Sequence, residues 1–443
     1  MPKYIDAFMQ IMRSAGFQIY IVGGPVRDML LNRPITNWDF ATNAKPQEVL
    51  KLFPDAKYEN DYGTVLVPLT TDIGETTIAE ITPFRKESTY SDSRHPDTVQ
   101  WADSIEEDVV RRDFTINALA HDGKNIIDLV HGQEDIKNGI IRAVGDPDKR
   151  FTEDALRLLR AIRFASQLSF TIEPHTLSAV SRHAEKITHI SWERIRDELL
   201  KIITSPHGAD GVMMMRSTTL LKYILPELDD AFGIDQKSPE RHHQDDVGTH
   251  SVQTLRHTPS PDPIVRLGAL LHDIGKPDTR AVDERGITTF YNHEIIGATL
   301  ANQIAHRLRL SKKDRLRLVM LVRHHMFSVS ELQTDKALRR FIRKVGLENV
   351  DGLLDIRTGD RVGSGVPETS WRTELFKKRL VDVQHMPFTI HDLKISGHDV
   401  MEALSLRPGP EVGNILKKLF EMVENEEIAN EKEALMKALK VLR

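Results

Sequence analysis

The sequence predicts a small mixed α/β head followed by a long helical body. Three observations carry that expectation. Short strand-like runs bounded by turn residues crowd the first third of the chain, and helical periodicity dominates after about Asp146. At 443 residues, the chain also exceeds what one compact core accommodates, so two to four domains are expected.

Taken in order, residues 1–20 read as a helix. The runs YIVGG, GTVLVPL, TTIAEITPF, ALAHD and NIIDLV read as short strands. A first break is expected at VGDPDKRF, where strand patterning gives way to helix, a second at TSPHGADG and a third at GSGVPETSW. These place domains at 1–145, 146–210, 211–365 and 366–443. No repeat or low-complexity linker interrupts them.

Composition narrows the function classes. The chain has no cysteine, which excludes disulfides and thiolate zinc sites. No apolar run approaches bilayer length, and the opening MPKYIDAFMQIMRSAGF has the acidic content and spacing of folded structure rather than of a signal peptide. A cytoplasmic location is the expectation. The net charge of −5 gives no support to nucleic-acid binding and does not exclude it, because local basic faces decide. Nineteen histidines invite a search for metal ligands.

In IVGGPVRDMLLNRPITNWDF, Gly23 and Gly24 follow a strand run and open a helical one. Glycines there let backbone N–H groups approach a triphosphate, while a plain turn explains them equally well on their own. Arg27 can neutralise phosphates, and Asp28 can orient that arginine. Asn37 and Asp39 alternate, so on a strand they share a face. Glu80 can add a carboxylate from a neighbouring strand. Converging carboxylates repel unless divalent cations hold them, and magnesium prefers oxygen ligands. Two such ions would serve an in-line displacement, activating a 3′-hydroxyl and stabilising pyrophosphate.

Downstream, EDALRLLRAIRF has helical periodicity, with Ala155, Leu158, Leu159 and Ile162 as a buried stripe. Asp154, Arg157, Arg160 and Arg163 recur at steps of three and form a drifting polar face. An exposed helix with intrahelical ion pairs would show the same pattern.

Together GGPVRD…NWDFAT, EITPFRKESTYSDSRHPDTVQW, EEDVVRRDFTINALA, FTEDALRLLRAIRF and SWERIRDELLKII resemble class II CCA-adding tRNA nucleotidyltransferases, whose head bacterial poly(A) polymerases share. The resemblance implies a nucleotidyltransferase head at 1–145 and a neck at 146–210 carrying a nucleotide-template helix. It implies CTP and ATP as substrates, tRNA as partner through its 3′ end and acceptor arm, and Mg2+ in the head. Asp154 would accept from the exocyclic amine of cytosine or adenine, and Arg157 would donate to the adjacent ring acceptor. Guanine and uracil leave both groups mismatched. The resemblance further implies nucleotide contacts for Arg112, Asn117, Arg160 and Arg163. It assigns Lys86–Gln100 to a flexible loop tied to the final A addition.

The second half carries DDVGTHS, LLHDIGKP, YNHEIIGA, VRHHM and IRTGDRVG, which resemble an HD-type phosphohydrolase domain spanning 211–365. By that pattern His250, His272, Asp273 and Asp360 hold a divalent transition metal or Mg2+, with open positions for water. His293, His324 and His325 either extend the site to two metals or lie on helix surfaces. Such domains cleave phosphomonoesters and cyclic phosphodiesters, which implies removal of 2′,3′-cyclic or 2′ phosphates from RNA ends. RLRLSKKDRLRL and KALRRFIRK are basic and either contact tRNA or form solvated faces. A helical tail occupies 366–443.

The family pattern has Asp where this chain has Asn37, and usually glycine at Asn32. An amide oxygen ligates magnesium without net charge and cannot bridge two cations. Three readings stand: a chain altered to trap substrates, an enzyme with weakened transfer, or a tRNA-end binder whose HD site does the chemistry. A poly(A) polymerase, an A-adding-only enzyme and an RNA-end phosphohydrolase with a binding-only head are the functional alternatives.

Overall fold

A helix over Lys3–Ser14 opens the chain, buries Ile5, Phe8, Met9 and Met12, and stops before Gly16, whose φ of +87° no continuing helix adopts. It is shorter than the expected 1–20 because that glycine turns the chain into the sheet. The computed structural model describes residues 1–58, 63–86, 101–236, 245–383, 390–425 and 427–442.

All the strand runs read from the sequence form strands of one seven-stranded sheet. In chain order these are β1 (Ile19–Val22), β2 (Trp38–Thr42), β3 (Lys57–Tyr58), β4 (Val65–Thr70), β5 (Thr76–Pro83), β6 (Leu119–His121) and β7 (Ile126–Asp128). The two-residue edge strand β3 was not foreseen; so short a run carries no alternation to read. The spatial order is β3-β4-β5-β2-β1-β6-β7, and only β2 and β5 run parallel within it. Their register sets Asp39 directly beside Glu80. Phe40 and Ile81, the next residues, turn to the other face and are buried, with Phe8 of the first helix packing its ring 4.9 Å from that of Phe40. One sheet face therefore packs on the main core, and the other carries the acids beside a smaller apolar cluster that includes Val22, Ala41, Phe84 and Ala120.

Beyond the sheet the chain is mainly helical. Among the described residues, the other strands form two small pairs, Ile140–Ile141 parallel to Thr171–Ile172 and Ala281–Val282 antiparallel to Thr288–Thr289. The helix Pro147–Glu153 is capped by Asp146, which accepts from the Asp148 N–H at 3.0 Å. The helix Leu156–Leu168 follows and buries Leu158, Leu159 and Ile162 as expected, as well as Ala155 at its cap.

Five helices matter for the second half: Val247–His257, Pro263–Leu271, His293–Arg307, Lys312–His324 and Leu347–Gly363. Asp246 and Asp262 cap the first two. The first and last of the five cross closely at Gly359, where a Cβ would lie 2.5 Å from the Thr254 carbonyl oxygen. Glycine is required there, and it brings Asp360 alongside His250.

The main core is one continuous cluster of buried side chains from Ile5 to Val383. The helix Trp371–Asp382, assigned to the tail from sequence, contributes Phe376 and Leu380 to it. A separate apolar cluster from Leu393 to Leu439 joins the helices Gly397–Leu404, Pro410–Glu424 and Lys432–Val441. Among the described residues no helix is long and apolar enough to cross a membrane.

Candidate active site

Asp39 and Glu80, side by side on β2 and β5, open into a cavity of about 380 Å3. Asp154, Arg157, Arg160 and Arg112 line the same cavity. The carboxylate pair and the proposed base-reading pair thus share one cleft. Burial pushes the Asp39 carboxyl above its ordinary range, and Arg112 and Arg27 offset this only in part.

The cleft wall is built from charge pairs that the sequence reading left unassigned. Asp108 is buried and accepts from Arg111 and, at 2.8 Å, from Arg112. Burial opposes its ionisation, yet Arg112 and Arg111 hold its pKa down at about 2. Gly23, with φ +71°, leaves room for Arg112, whose Nη1 lies 3.0 Å from where a Cβ would stand. Asp113 accepts from Arg160 at 2.6 Å, and the charges of Arg160 and Arg157 overcome its burial to lower its pKa. Arg111, Asp113 and Arg194 also line the cavity. The signal for the first two was the RRD run at 111–113, quoted above without roles for Arg111 and Asp113.

Several expected positions differ. Asp154 is not on the helix Leu156–Leu168: it sits between two helices with extended backbone, φ −142° and ψ 105°. Its Oδ1 accepts from the Leu156 N–H at 3.0 Å and its Oδ2 from Arg194 at 2.9 Å. Arg157 donates to Glu153 at 2.5 Å and to the Arg150 carbonyl at 3.0 Å. Arg163 does not reach the cavity. Six residues on from Arg157 the helix has turned by roughly 120° away, into the core. There Arg163 pairs with the buried Glu198 at 2.8 Å and lies over the Phe164 ring, and burial lowers its pKa to about 10.

Asn37 is exposed, one residue before β2 begins, and is not among the lining residues. Gly23, Gly24, Arg27 and Asn117 do not line it either. Arg27 is held by Asp28 at 3.0 Å and by the Asn117 side-chain oxygen at 2.7 Å, so it serves the frame of the cleft. Asn32 takes a left-handed φ of 52°, which explains why glycine suits that turn. Of the loop Lys86–Gln100, residues 87–100 lie outside the described residues.

A second constellation lies in the helical body. His250 Nε2 stands 3.0 Å from Asp360 and 3.7 Å from Asp273 Oδ2, and His272 Nε2 stands 3.1 Å from the same Asp273 oxygen. The other Asp273 oxygen faces His293 Nε2 at 3.3 Å and His325 Nε2 at 3.6 Å. The ligand atoms of His250, His272 and Asp273 lie within 4.8 Å of one another, as do those of Asp273, His293 and His325, and Asp360 joins neither trio, reaching the first through His250. His272, His293 and His325 each commit Nδ1 to a backbone carbonyl at 2.8 Å, which turns Nε2 inward.

Of the three histidines left open, His293 and His325 are buried partners of Asp273. His324 is only half-buried and lines a different cavity. Burial works against the Asp273 charge, but His272 and Lys276 hold its carboxyl well below the usual range. Lys276 of the GKP run, also unassigned from sequence, lies 2.6 Å from Asp273 Oδ2 and 2.7 Å from Gln236 Oε1. The basic stretches are largely paired internally, Arg307 with Glu227 and Arg317 with Asp262.

Known families match four successive segments of the chain. The Poly A polymerase head domain family matches residues 19–142, and the probable RNA and SrmB-binding site of polymerase A matches 169–232. The HD domain family matches 243–348, and a second-domain family of tRNA nucleotidyltransferases matches 360–439. A CCA-adding enzyme of Levilactobacillus brevis is 34% identical, covering 97% of this chain and 96% of that protein. An A-adding tRNA nucleotidyltransferase of Deinococcus radiodurans is 35% identical over 76% of this chain and 80% of its own. The crystal structure of the Bacillus stearothermophilus CCA-adding enzyme in complex with CTP has a TM-score of 0.75 and 28% identity, over 99% of this chain and 97% of that one.

Proposed function

The chain belongs to the CCA-adding enzymes, and we propose that its head adds C and A from CTP and ATP to the 3′ end of tRNA without a nucleic-acid template. The observation that carries this is the single cleft containing both Asp39–Glu80 and Asp154–Arg157. The two carboxylates are adjacent, oxygen-only and partly desolvated, so their donor set fits Mg2+. When bound there, magnesium supplies Lewis-acid activation of the attacking hydroxyl and charge compensation for the leaving pyrophosphate.

The chain's own groups do the rest. Arg112, braced by Asp108, brings positive charge to the cleft for the triphosphate. Asp154 has acceptor capacity beyond its bonds to Arg194 and Leu156, enough for one amine hydrogen of cytosine or adenine. Arg157, fixed by Glu153, presents its guanidinium to the adjacent ring acceptor. A carbonyl in place of the amine meets the Asp154 carboxylate without a proton between them, which disfavours uracil and guanine.

Incubating the chain with tRNA lacking CCA and each triphosphate, then sequencing the products, tests this reading. C, C and A in order are expected, with UTP and GTP used at least about a hundredfold less. Long A tails would indicate a poly(A) polymerase, and A added only after CC an A-adding enzyme. Asn37 precedes Asp39 by two residues but stands outside the cleft lining, so Asn37→Asp tests whether a carboxylate there reaches the ion: a gain of orders of magnitude is expected from a charged ligand. No gain would mean that Asn37, exposed as it is, is not a metal position.

A second activity is favoured by the position of Asp273 between two histidine pairs. We propose that these residues hold a divalent transition metal or Mg2+ and hydrolyse 2′,3′-cyclic or 2′ phosphates at RNA ends. Inward Nε2 atoms and ionised carboxylates form a donor set that fits such ions. With the native chain, RNA with a 2′,3′-cyclic end is expected to be opened by one water to a terminal phosphomonoester, and RNA with a 2′-phosphate end to release phosphate. Asp273→Ala should remove both while CTP incorporation persists. Neither ring opening nor phosphate release with any of Mg2+, Mn2+, Ni2+ or Fe2+ sinks this reading.

A further inference from the structure

A cavity of about 350 Å3 lies between the end of the helix Lys312–His324 and the helix Asp335–Val345. It is separate from the head cleft. On one wall Arg340, Phe341 and Lys344 fall at helical steps of one and three, so two cations one turn apart flank an aromatic ring. Arg323, Phe327 and Glu294 form the facing wall. Glu294 pairs with Arg323 at 3.2 Å, whereas neither Arg340 nor Lys344 has a carboxylate partner among the described residues. The wall thus has an excess of positive charge.

The same helix buries Leu338, Ile342 and Val345 in the main core. The backbone carrying Arg340 and Lys344, whose side chains are exposed, is therefore fixed at the cavity by a face already anchored. Phe327 and Phe341 lie 5.1 Å apart between ring centroids, and their apolar surface borders the cations. Cations one turn apart beside an aromatic surface suit one ligand chemistry: phosphate on the guanidinium and ammonium, a base against the rings. The volume matches a single nucleotide, within the range of small-ligand sites.

We propose that this cavity binds one nucleoside monophosphate unit, its phosphate held by Arg340 and Lys344 and its base against Phe327 and Phe341. The unit comes either from free nucleotide or from the terminal residue of an RNA strand. The cavity adjoins the second histidine group through the sequence neighbours His324–His325 and His293–Glu294, but binding here requires no hydrolysis there.

Photolabelling tests it without reference to turnover. The probes are 8-azidoadenosine 5′-monophosphate and a short RNA ending in 8-azidoadenosine, each irradiated with the full-length chain and mapped by mass spectrometry. Adducts on peptides containing Phe327 or Phe341 are expected. Labelling by the mononucleotide assigns the site to free nucleotide, and labelling by the oligonucleotide alone assigns it to RNA ends. The double variant Arg340→Glu/Lys344→Glu is expected to lose this label about tenfold or more, and Arg340→Lys/Lys344→Arg to retain it. Adducts confined to residues 22–194, or a label on these peptides that charge reversal leaves intact, overturn the proposal. If charge reversal prevents folding, the adduct map of the native chain decides alone.

Discussion

Asp108 shows how much of the head cleft depends on one buried carboxylate. It neutralises Arg111 and fixes Arg112, which in turn packs over Gly23. Its folded pKa of about 2 is below the ordinary carboxylate value near 4. A depressed acid contributes stability that is complete above the unfolded pKa and disappears as pH falls through the folded one. Acid unfolding curves should therefore show a contribution of roughly 2 kcal/mol vanishing between about pH 4 and pH 2. Asp108→Asn should be less stable at neutral pH and flatter across that window, measured by urea unfolding at fixed pH values. At this scale the sequence was partly legible. Asp39, Glu80, His250, His272, Asp273 and Asp360 all arrive in two constellations because their spacing reflects the elements that carry them. Asp108 was not legible, because an acid in EEDVVRRD looks like any solvated helix residue until its burial is known.

Elements place these residues, and helix breaks and crossings decide the details. EDALRLLRAIRF has no glycine or proline to mark an interruption, so periodicity alone ran Asp154 into the helix. The extended backbone at Asp154 frees its carboxylate to cap the next helix and still face the cleft. Arg163 was misplaced for a related reason: a repeat of three slips against 3.6 residues per turn, and two repeats from Arg157 carry a side chain into the core. The crossing at Gly359 supplies a prediction. A methyl group there meets Thr254 and Thr258, so the helices Val247–His257 and Leu347–Gly363 must separate. Gly359→Ala should cost about 1–3 kcal/mol and weaken metal binding at the histidine cluster, because His250 and Asp360 sit on the two helices forced apart. Thermal unfolding and isothermal titration with Mn2+ or Ni2+ check both effects. CTP incorporation at a temperature below unfolding should change little.

At the scale of the whole molecule, three apolar clusters of unequal size divide the described residues, the third packing Phe84, Ile105 and Val109 against the acid-bearing face of the head sheet. The large one links sheet, neck and histidine body, whereas the tail closes over its own small cluster from Leu393 to Leu439. So small a core supports marginal stability. Hydrogen exchange should show the helices Gly397–Leu404, Pro410–Glu424 and Lys432–Val441 losing protection at lower denaturant than Leu156–Leu168 or Pro263–Leu271. Simultaneous loss would show one cooperative unit instead. The head-then-helices layout was readable because strand alternation and helical periodicity survive in single sequences. The contact of Trp371–Asp382 with the main core was not, since amphipathicity says that a face is buried and not against what.

The parallel pairing of β2 with β5 has one more outcome. Parallel neighbours cannot be joined by a tight turn, so the chain must make an excursion between them, here through the edge strand β3 and its inner neighbour β4. Both acids are aligned by ladder bonds rather than by that excursion. Its outer portion can lengthen or shorten over evolutionary time while Asp39 and Glu80 stay abreast.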